Sequence, residues 1–454
     1  MDYFWKKLRT LNDSMILEKF FLWLWGLFCF IFFAVPTAKA IEDLVQVFQQ
    51  ALESDPILSR ESYLFTSTQA GVSVAKAALG PTLSVNAAAG GGSLIDVNIN
   101  SFSLATGTSF EFYTVLLTQP LFDGQKLSAL KAAKYQSQAQ RSGVQYQRQQ
   151  LILRVIQGYF GVLQAKANVR VSETELALYE EILKQTEAFL KTGKGDIVAV
   201  KEAKAKYDLS QSNLITAKNA LNISKAILER ITHKPLEAEL ADVKEISPMN
   251  PTPNKLDLWV QTAMANQPLI KQAKSLLDVS YAQLEQNKRG HWPVLSVVGS
   301  SSQLAVNAIP LNLQVAAGFL TLSVPLYDGQ IDQKIKQSQA QARATSEALR
   351  NTSDQTKLET EEAFLNLQSS VLQLKSAKTA LDSAKTSYEA TKKGYELGTR
   401  SVIDLLTVIS DLSSATRNYY NALYNHIVSR AQLKAAAGVL EQEDILAFNS
   451  MLRR

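Results

Sequence analysis

Side chains able to do chemistry are few in this sequence and widely separated. His233, His291 and His426 are the only histidines, and none has a second His or Cys at the i+3 or i+4 spacing of a helical metal site. The sequence has no G-x-S-x-G elbow and no paired His and carboxylate motif. We therefore expect no catalytic residue, no metal site and no cofactor, so the protein is not expected to be an enzyme.

One glycine-rich segment resembles a phosphate loop at first sight. Thr192-Gly193-Lys194-Gly195 lacks the G-x-x-x-x-G-K-[ST] spacing and falls between two helical stretches instead of following a strand. The pattern therefore favours the turn of a helical hairpin. Gly90-Gly91-Gly92-Ser93 has no helix behind it and indicates a strand end or surface loop.

The first 40 residues have the pattern of a secretory signal. A basic start at residues 6–9 precedes an apolar run at residues 20–35, which ends at the Ala-Lys-Ala of residues 38–40. This arrangement predicts cleavage before Ile41, with an uncleaved anchor as the alternative. The single cysteine, Cys29, lies inside the segment, so the processed chain has no thiol and no cysteine for lipid attachment.

Charge and hydropathy limit the possible partners and membrane topology. The whole chain has 47 Lys and Arg against 42 Asp and Glu. Loss of the signal removes five basic and three acidic residues, which leaves a net charge of +3 and predicts no nucleic-acid partner. No segment after residue 40 has about 18 consecutive apolar residues, so any membrane crossing should use a β-barrel.

The chain after the signal consists of two copies of one unit, residues 41–247 and 248–440, followed by a tail at 441–454. Early landmarks recur at an offset of 212 residues and later ones at 205, so a length change of seven residues separates them. The early pairs are Asp55-Pro56 with Gln267-Pro268 and Gly80-Pro81 with Trp292-Pro293. The later pairs are the P-L-[FY]-D-G motifs of residues 120–124 and 325–329, and Gly193 with Gly398.

Each copy is expected to contain one long helical hairpin, at about 125–231 and 330–437. Residues 125–191 and 330–397 are rich in Ala, Gln, Lys, Glu and Leu, which predicts helices about 100 Å long. The helices after the two glycines carry small and medium apolar residues at spacings of three and four, typical of a coiled-coil seam. Asp123 and Asp328 are suited to cap the long helices.

Each copy is also expected to contain a pair of strands, at about 82–120 and 294–325. Segments 82–91, 110–119, 294–302 and 313–324 are each about ten residues long with a loose period of two, as in tilted membrane strands. Prolines bound each pair. Four strands are too few to close a barrel, for which about eight is the small end, so a symmetric ring of chains is expected.

The repeated P-L-[FY]-D-G turn, the two hairpins and the motifs at residues 395–400, 403–406 and 440–447 resemble the TolC family of outer-membrane efflux proteins. The resemblance covers the whole processed chain. It implies a mixed α/β channel-tunnel in which a homotrimer forms a 12-stranded outer-membrane β-barrel continuous with a long periplasmic α-helical barrel. It also implies a passive export duct that works with a periplasmic adaptor protein and an inner-membrane pump, in tripartite efflux or type I secretion.

The resemblance implies a gate at the periplasmic tip. Tyr395 and Arg400 take positions whose bonds to a neighbouring hairpin hold the tunnel shut, and Asp404 takes the position of a carboxylate ring, with a solvated helix-start acid as the alternative. The residues that would contact the adaptor are Gly193, Lys194, Gly195, Gly398 and Thr399.

The sequence departs from the family pattern at three matching positions, Thr407, Val198 and Ala199, where acids or a threonine are usual. Either Asp196 or Glu202 is an alternative partner for Arg400, and the sequence does not choose between them. A secreted coiled-coil structural or adhesive protein is the other function considered. It would explain the long helices but not the proline-bounded strand pairs.

Overall fold

The computed structural model describes residues 41–92, 108–236, 238–244, 246–306 and 311–453, so the predicted signal segment lies outside the described residues. The helices are α1 (Leu44–Ser54), α2 (Pro56–Ala77), α3 (Gly124–Lys191), α4 (Ile197–Thr232), α5 (Leu256–Asn266), α6 (Pro268–Lys288), α7 (Gly329–Glu396), α8 (Val402–Ala436) and α9 (Gln442–Asn449). The strands are β1 (Ile41–Glu42), β2 (Thr82–Gly92), β3 (Thr108–Phe122), β4 (Glu239–Leu240), β5 (Val294–Val306) and β6 (Leu311–Ser323).

The two longest helices, α3 and α7, have 68 residues each and are therefore about 100 Å long. Both begin where the repeated Asp-Gly motif predicts. The Asp123 carboxylate accepts a hydrogen bond from the Lys126 amide at 3.0 Å, and the Asp328 carboxylate accepts one from the Gln330 amide at 2.9 Å. Each aspartate thus satisfies an amide that the first helical turn leaves unpaired.

Helices α3 and α4 form the first hairpin, and α7 and α8 form the second. Both tips turn through a glycine in the left-handed region, Gly193 with φ of 72° and Gly398 with φ of 74°. A side chain is disfavoured in this conformation, which explains why both copies of the repeat use glycine there. None of the helices in the described ranges is long and apolar enough to cross a membrane.

The main sheet is antiparallel and has the order β2-β3-β5-β6. β2 pairs with β3 within the first unit, β5 pairs with β6 within the second, and β3 pairs with β5 between them. Strand β3 continues beyond Pro120 to Phe122, with a register irregularity between these residues. A proline has no amide to donate, so it is tolerated in a strand at such an irregularity.

The largest apolar core lies midway along the long helices, where α3 meets α1, α4, α8 and α9. Tyr159 is fully buried there, and its hydroxyl donates to the carbonyl oxygens of Glu42 at 3.2 Å and Ala241 at 3.0 Å. The short parallel pair of β1 and β4 is held against the helices by these bonds. The core thereby fixes the ends of α4 and α8 that are remote from the tips.

His426 occupies a fully buried position on α8. Its Nδ1 lies 2.9 Å from the Ser370 hydroxyl on α7, and its Nε2 accepts a hydrogen bond from the Met249 amide at 3.2 Å. Burial lowers the pKa of His426 to about 4, with the positive charge of Arg430 as a second cause. The neutral imidazole thus joins the second hairpin to the segment that precedes α5.

Candidate gate and tip site

The two hairpin tips lie side by side and border an open cavity of about 280 Å³. The first hairpin contributes the last turn of α3 and the first turn of α4. The second contributes Tyr395 and the first turn of α8. The lining residues are Thr186, Phe189, Gly195, Asp196, Val198, Ala199, Tyr395, Ser401, Val402 and Ile403. Most of this lining is apolar, so the cavity offers a hydrophobic surface close to the tips.

A compact apolar cluster joins the two hairpins next to the tips, on the side that faces the rest of the long helices. Its buried members are Tyr179 and Ile182 from α3, Ala203 from α4, and Val402, Leu405, Leu406 and Ile409 from α8. The Tyr179 hydroxyl lies 3.4 Å from the carbonyl oxygen of Leu406, and burial raises its pKa to about 12. Because this hydroxyl stays protonated at neutral pH, it serves as a hydrogen-bond donor between the hairpins.

Tyr395, the first predicted gate residue, is partly buried against this cluster. Burial raises the pKa of its hydroxyl. Tyr395 lines the cavity between the tips together with residues of the first hairpin, and its part in a gate stays a prediction.

Arg400 and Asp404, the other two predicted gate residues, stabilise the second tip locally. The Arg400 amide donates to the Gly394 carbonyl oxygen at 3.2 Å, and its side chain covers Gly394 so closely that a Cβ there would come within 2.7 Å of Cγ. Asp404 forms a capping box with Ser401. Its carboxylate accepts from the Ser401 amide at 3.0 Å, while its own amide donates to the Ser401 hydroxyl at 3.1 Å.

The hydrogen bond from the Ser401 amide lowers the pKa of Asp404, and the Ser401 hydroxyl and the charge of Arg400 lower it further. In the single chain, Asp404 thus has the helix-start role that the sequence left open as the alternative to a carboxylate ring. The same carboxylate remains charged at neutral pH.

The two acids considered as partners for Arg400 are placed differently. The Asp196 carboxylate accepts from the Val198 amide at 3.1 Å and caps α4. Neither Asp196 nor Glu202 forms an ion pair with Arg400 among the described residues. The role of either acid as a partner for Arg400 in an assembled gate therefore stays a prediction.

The tip glycines differ in the space around them. Gly193 and Gly398 are open, with no neighbouring atom within 4 Å of the position that a Cβ would take, whereas a Cβ on Gly195 would meet the Leu190 amide nitrogen at 2.7 Å. Lys194 and Thr399 are exposed beside them. The space over Gly193 and Gly398 is therefore open, while Gly195 is needed for close packing within its own turn.

An ion pair that the sequence did not reveal joins the hairpins above the apolar cluster. The Arg417 guanidinium on α8 donates to the Glu175 carboxylate on α3 at 2.8 Å, and the Glu175 side chain is only 5% exposed. The available signal was a pair of opposite charges near the predicted seams. Within the described ranges, no cluster of three or more His, Asp or Glu side chains has a metal-binding arrangement.

Comparison with known proteins agrees with this architecture. The family model described as "Outer membrane efflux protein" matches residues 47–232 and 259–439, which together make up well over half of the chain. The chain belongs to the outer membrane efflux protein family. This efflux protein is therefore a transport channel of the outer membrane, which rules out the secreted structural or adhesive protein considered above.

Curated relatives span most of the chain. The outer membrane protein TolC of Escherichia coli is 28% identical over 91% of this efflux protein and 85% of its own length. The TolC protein of Vibrio cholerae is 27% identical over 91% and 94%. The alkaline protease secretion protein AprF of Pseudomonas aeruginosa is 25% identical over 73% and 70%.

Solved structures share the fold at lower identity. The CmeC outer membrane channel of Campylobacter jejuni has a TM-score of 0.78, with 18% identity over 91% of this efflux protein and 90% of the channel. CusC has a TM-score of 0.76, with 15% identity over 88% and 92%. The family resemblance stated from the sequence is confirmed by the family model and the curated relatives, and the solved structures share the fold.

Proposed function

We propose that three copies of this chain form one channel-tunnel, with a 12-stranded barrel in the outer membrane and an α-helical barrel in the periplasm. The observation that carries the proposal is the four-stranded sheet whose outer strands, β2 and β6, have no described strand on their outer edges. Unpaired edges are costly in lipid, and about eight strands is the small end for closure. A ring of three copies removes every edge.

The helices support the same assembly. Helix α7 exposes Leu358, Leu365 and Leu372, which recur every seven residues, with 48%, 55% and 67% of their surfaces accessible. Helix α4 exposes Leu209 and Ile223, which are two heptads apart, and Ile227 one turn further on. Such apolar rows on long helices are typical of coiled-coil faces that pack against another helix. In a ring of copies, these rows lie between adjacent subunits.

The proposed activity is passive export across the periplasm and outer membrane, gated at the tips by Tyr395, Arg400 and the Asp404 ring. A periplasmic adaptor would dock over Gly193, Lys194, Gly195, Gly398 and Thr399, and an inner-membrane pump would supply the energy. Of these residues, Gly195 lines the mostly apolar cavity between the tips, which offers a surface for such docking. The names of AprF and PrtF associate those relatives with protease secretion, which supports type I secretion beside efflux as a role for this chain.

Reconstitution in planar bilayers tests the channel activity. The purified protein should produce discrete, uniform conductance steps, because each inserted trimer provides one water-filled duct of fixed size. A variant with proline in strand β5, such as Val298→Pro, is a suitable control because it disrupts pairing in the middle of the sheet. Absence of discrete steps from the unmodified protein would contradict the proposal.

A further inference from the structure

The β3–β5 seam shows how one repeat unit docks on the next. The two strands pair from Phe110 opposite Val306 to Pro120 opposite Ser296, and Phe122 then lies opposite Leu295. At this end the Phe122 ring stacks on Trp292, with ring centroids 6.1 Å apart and planes inclined by 11°. The pairing of the two repeat units therefore ends in an aromatic contact between Phe122 and Trp292, where the sheet meets the helices.

The matching seam at β6 has no partner within the described chain. The repeat relates β3 to β6 by 205 residues and β5 to β2 by 212 residues. Strand β6 ends at Ser323, whereas β3 continues four residues beyond the matching Thr118 because β5 lies beside it. The residues that match Leu121 and Phe122 are Leu326 and Tyr327, which are 94% and 91% exposed.

The open edge of β2 is the surface that would complete this seam. Strand β2 matches β5, yet its only described partner in the main sheet is β3. Because β2 and β6 lie at opposite edges of one sheet, the β2 that meets β6 belongs to another copy.

We propose that β6 of one copy pairs with β2 of the next in the register of the β3–β5 seam, and that Tyr327 then docks over Gly80 of the neighbouring copy. This contact rests on the proposed trimer and specifies its register. Leu322 lies opposite Ala87 of the neighbouring copy, and residues 324–327 extend β6 until Tyr327 lies opposite Leu83 of that copy.

The side chains at the two ends of this contact are complementary in size. In the internal seam, Trp292 fills the space beneath Phe122, and the Arg289 guanidinium lies 4.9 Å from the centre of the Trp292 ring. The matching residues in the first unit are Gly80 and Ala77. The large, exposed Tyr327 thus meets a position where Gly80 has no side chain and Ala77 has only a methyl group. The seam between two copies then contains one aromatic ring at this end, whereas the internal seam contains two.

Cysteine crosslinking tests both the register and the docking. In a Cys29→Ser background the chain has no thiol, so introduced pairs can be oxidised without competition. The pairs Tyr327→Cys with Leu83→Cys and Leu322→Cys with Ala87→Cys should form disulfides between copies, and denaturing gels should show covalent dimers and trimers. The swapped pairs, Tyr327→Cys with Ala87→Cys and Leu322→Cys with Leu83→Cys, contain the same four substitutions and should remain monomeric on the gel.

Native mass spectrometry of each variant before oxidation distinguishes a wrong strand register from the absence of a trimer. If the variants are trimers and the matched pairs give no covalent ladder, or the swapped pairs give an equal one, the register and the Tyr327 contact are overturned while the trimer stands. If the unmodified protein is monomeric, the proposed trimer is overturned and the contact with it. A ladder from the matched pairs alone supports the proposal.

Discussion

The Arg417 guanidinium donates a hydrogen bond to the nearly buried Glu175 carboxylate at 2.8 Å, linking α8 of the second hairpin to α3 of the first. The pair lies above the apolar cluster that contains Tyr179 and Leu406. The two hairpins of one chain are thus joined by charge as well as by apolar packing, close to the gate that we propose.

Substitution of Arg417 should weaken the joint between the hairpins. Arg417→Ala leaves the Glu175 carboxylate buried without its partner, and such a loss costs about 3 to 5 kcal/mol. We therefore expect a clear fall in the thermal unfolding midpoint, measured by circular dichroism. The double variant Glu175→Leu with Arg417→Met removes both charges and should recover most of the midpoint. Equal losses in the single and double variants would contradict a role for the ion pair.

Stability should fall on acidification because of His426. Its pKa is about 4 in the folded chain and about 6.5 when unfolded, so the unfolded state binds more protons between these values. The stability that depends on a neutral His426 is fully present above pH 6.5. As the pH falls towards 4, the free energy of unfolding decreases by about 3 kcal/mol.

Protonation of His426 would also remove the acceptor for the Met249 amide. The measurement is the unfolding midpoint at about pH 7 and about pH 4.5, on either side of most of this titration. His426→Asn keeps polar atoms at the site without a titration and should show a smaller difference between the two pH values. An unchanged pH dependence in that variant would contradict this assignment.

Asp404 should give the proposed pore its cation preference. Three copies of this carboxylate near the axis would attract cations and allow block by trivalent cations. Asp404→Asn removes the charge but retains an oxygen acceptor for the Ser401 amide, so the start of α8 is preserved. We expect weaker cation selectivity and weaker trivalent block in single-channel recordings. Unchanged values of both would leave Asp404 with its capping role alone.

Bulky residues at the tips should abolish export without preventing insertion of the barrel. Lys194→Trp adds bulk at an exposed residue of the first tip that does not have a left-handed backbone. Lys194→Gln is the matched control, since it removes the same charge at the same residue without adding bulk. Export of a secreted reporter and the amount of channel in outer-membrane fractions are the two measurements. Normal export by Lys194→Trp would count against adaptor docking at this tip.

Local sequence signals predicted the features that depend on a few neighbouring residues. The Asp-Gly motifs indicated the helix starts at Asp123 and Asp328, and the glycines at residues 193 and 398 indicated the two tips, all of which the structure contains. The four strands of the main sheet also follow from their length and composition, although β3 runs two residues past Pro120.

Contacts between distant helices could not be predicted in the same way. Glu175 and Arg417 are 242 residues apart, and their meeting depends on the rotation of two long helices about their axes. The burial of His426 likewise depends on Met249, which lies in a segment without helical or strand periodicity. For Asp404, the sequence left two roles open, because an acid in the first turn of a helix can bond to the residue that caps the helix or point towards a symmetry axis.

The central claim is that three copies of this chain close one channel, and its most direct test is the native mass of the purified protein in mild detergent. We predict a single dominant species with three times the mass of the processed chain, because the proposed 12-stranded barrel takes four strands from each copy and pairs the outer edges of β2 and β6. A spectrum that contains only monomers, unchanged after chemical crosslinking in the membrane, would contradict it.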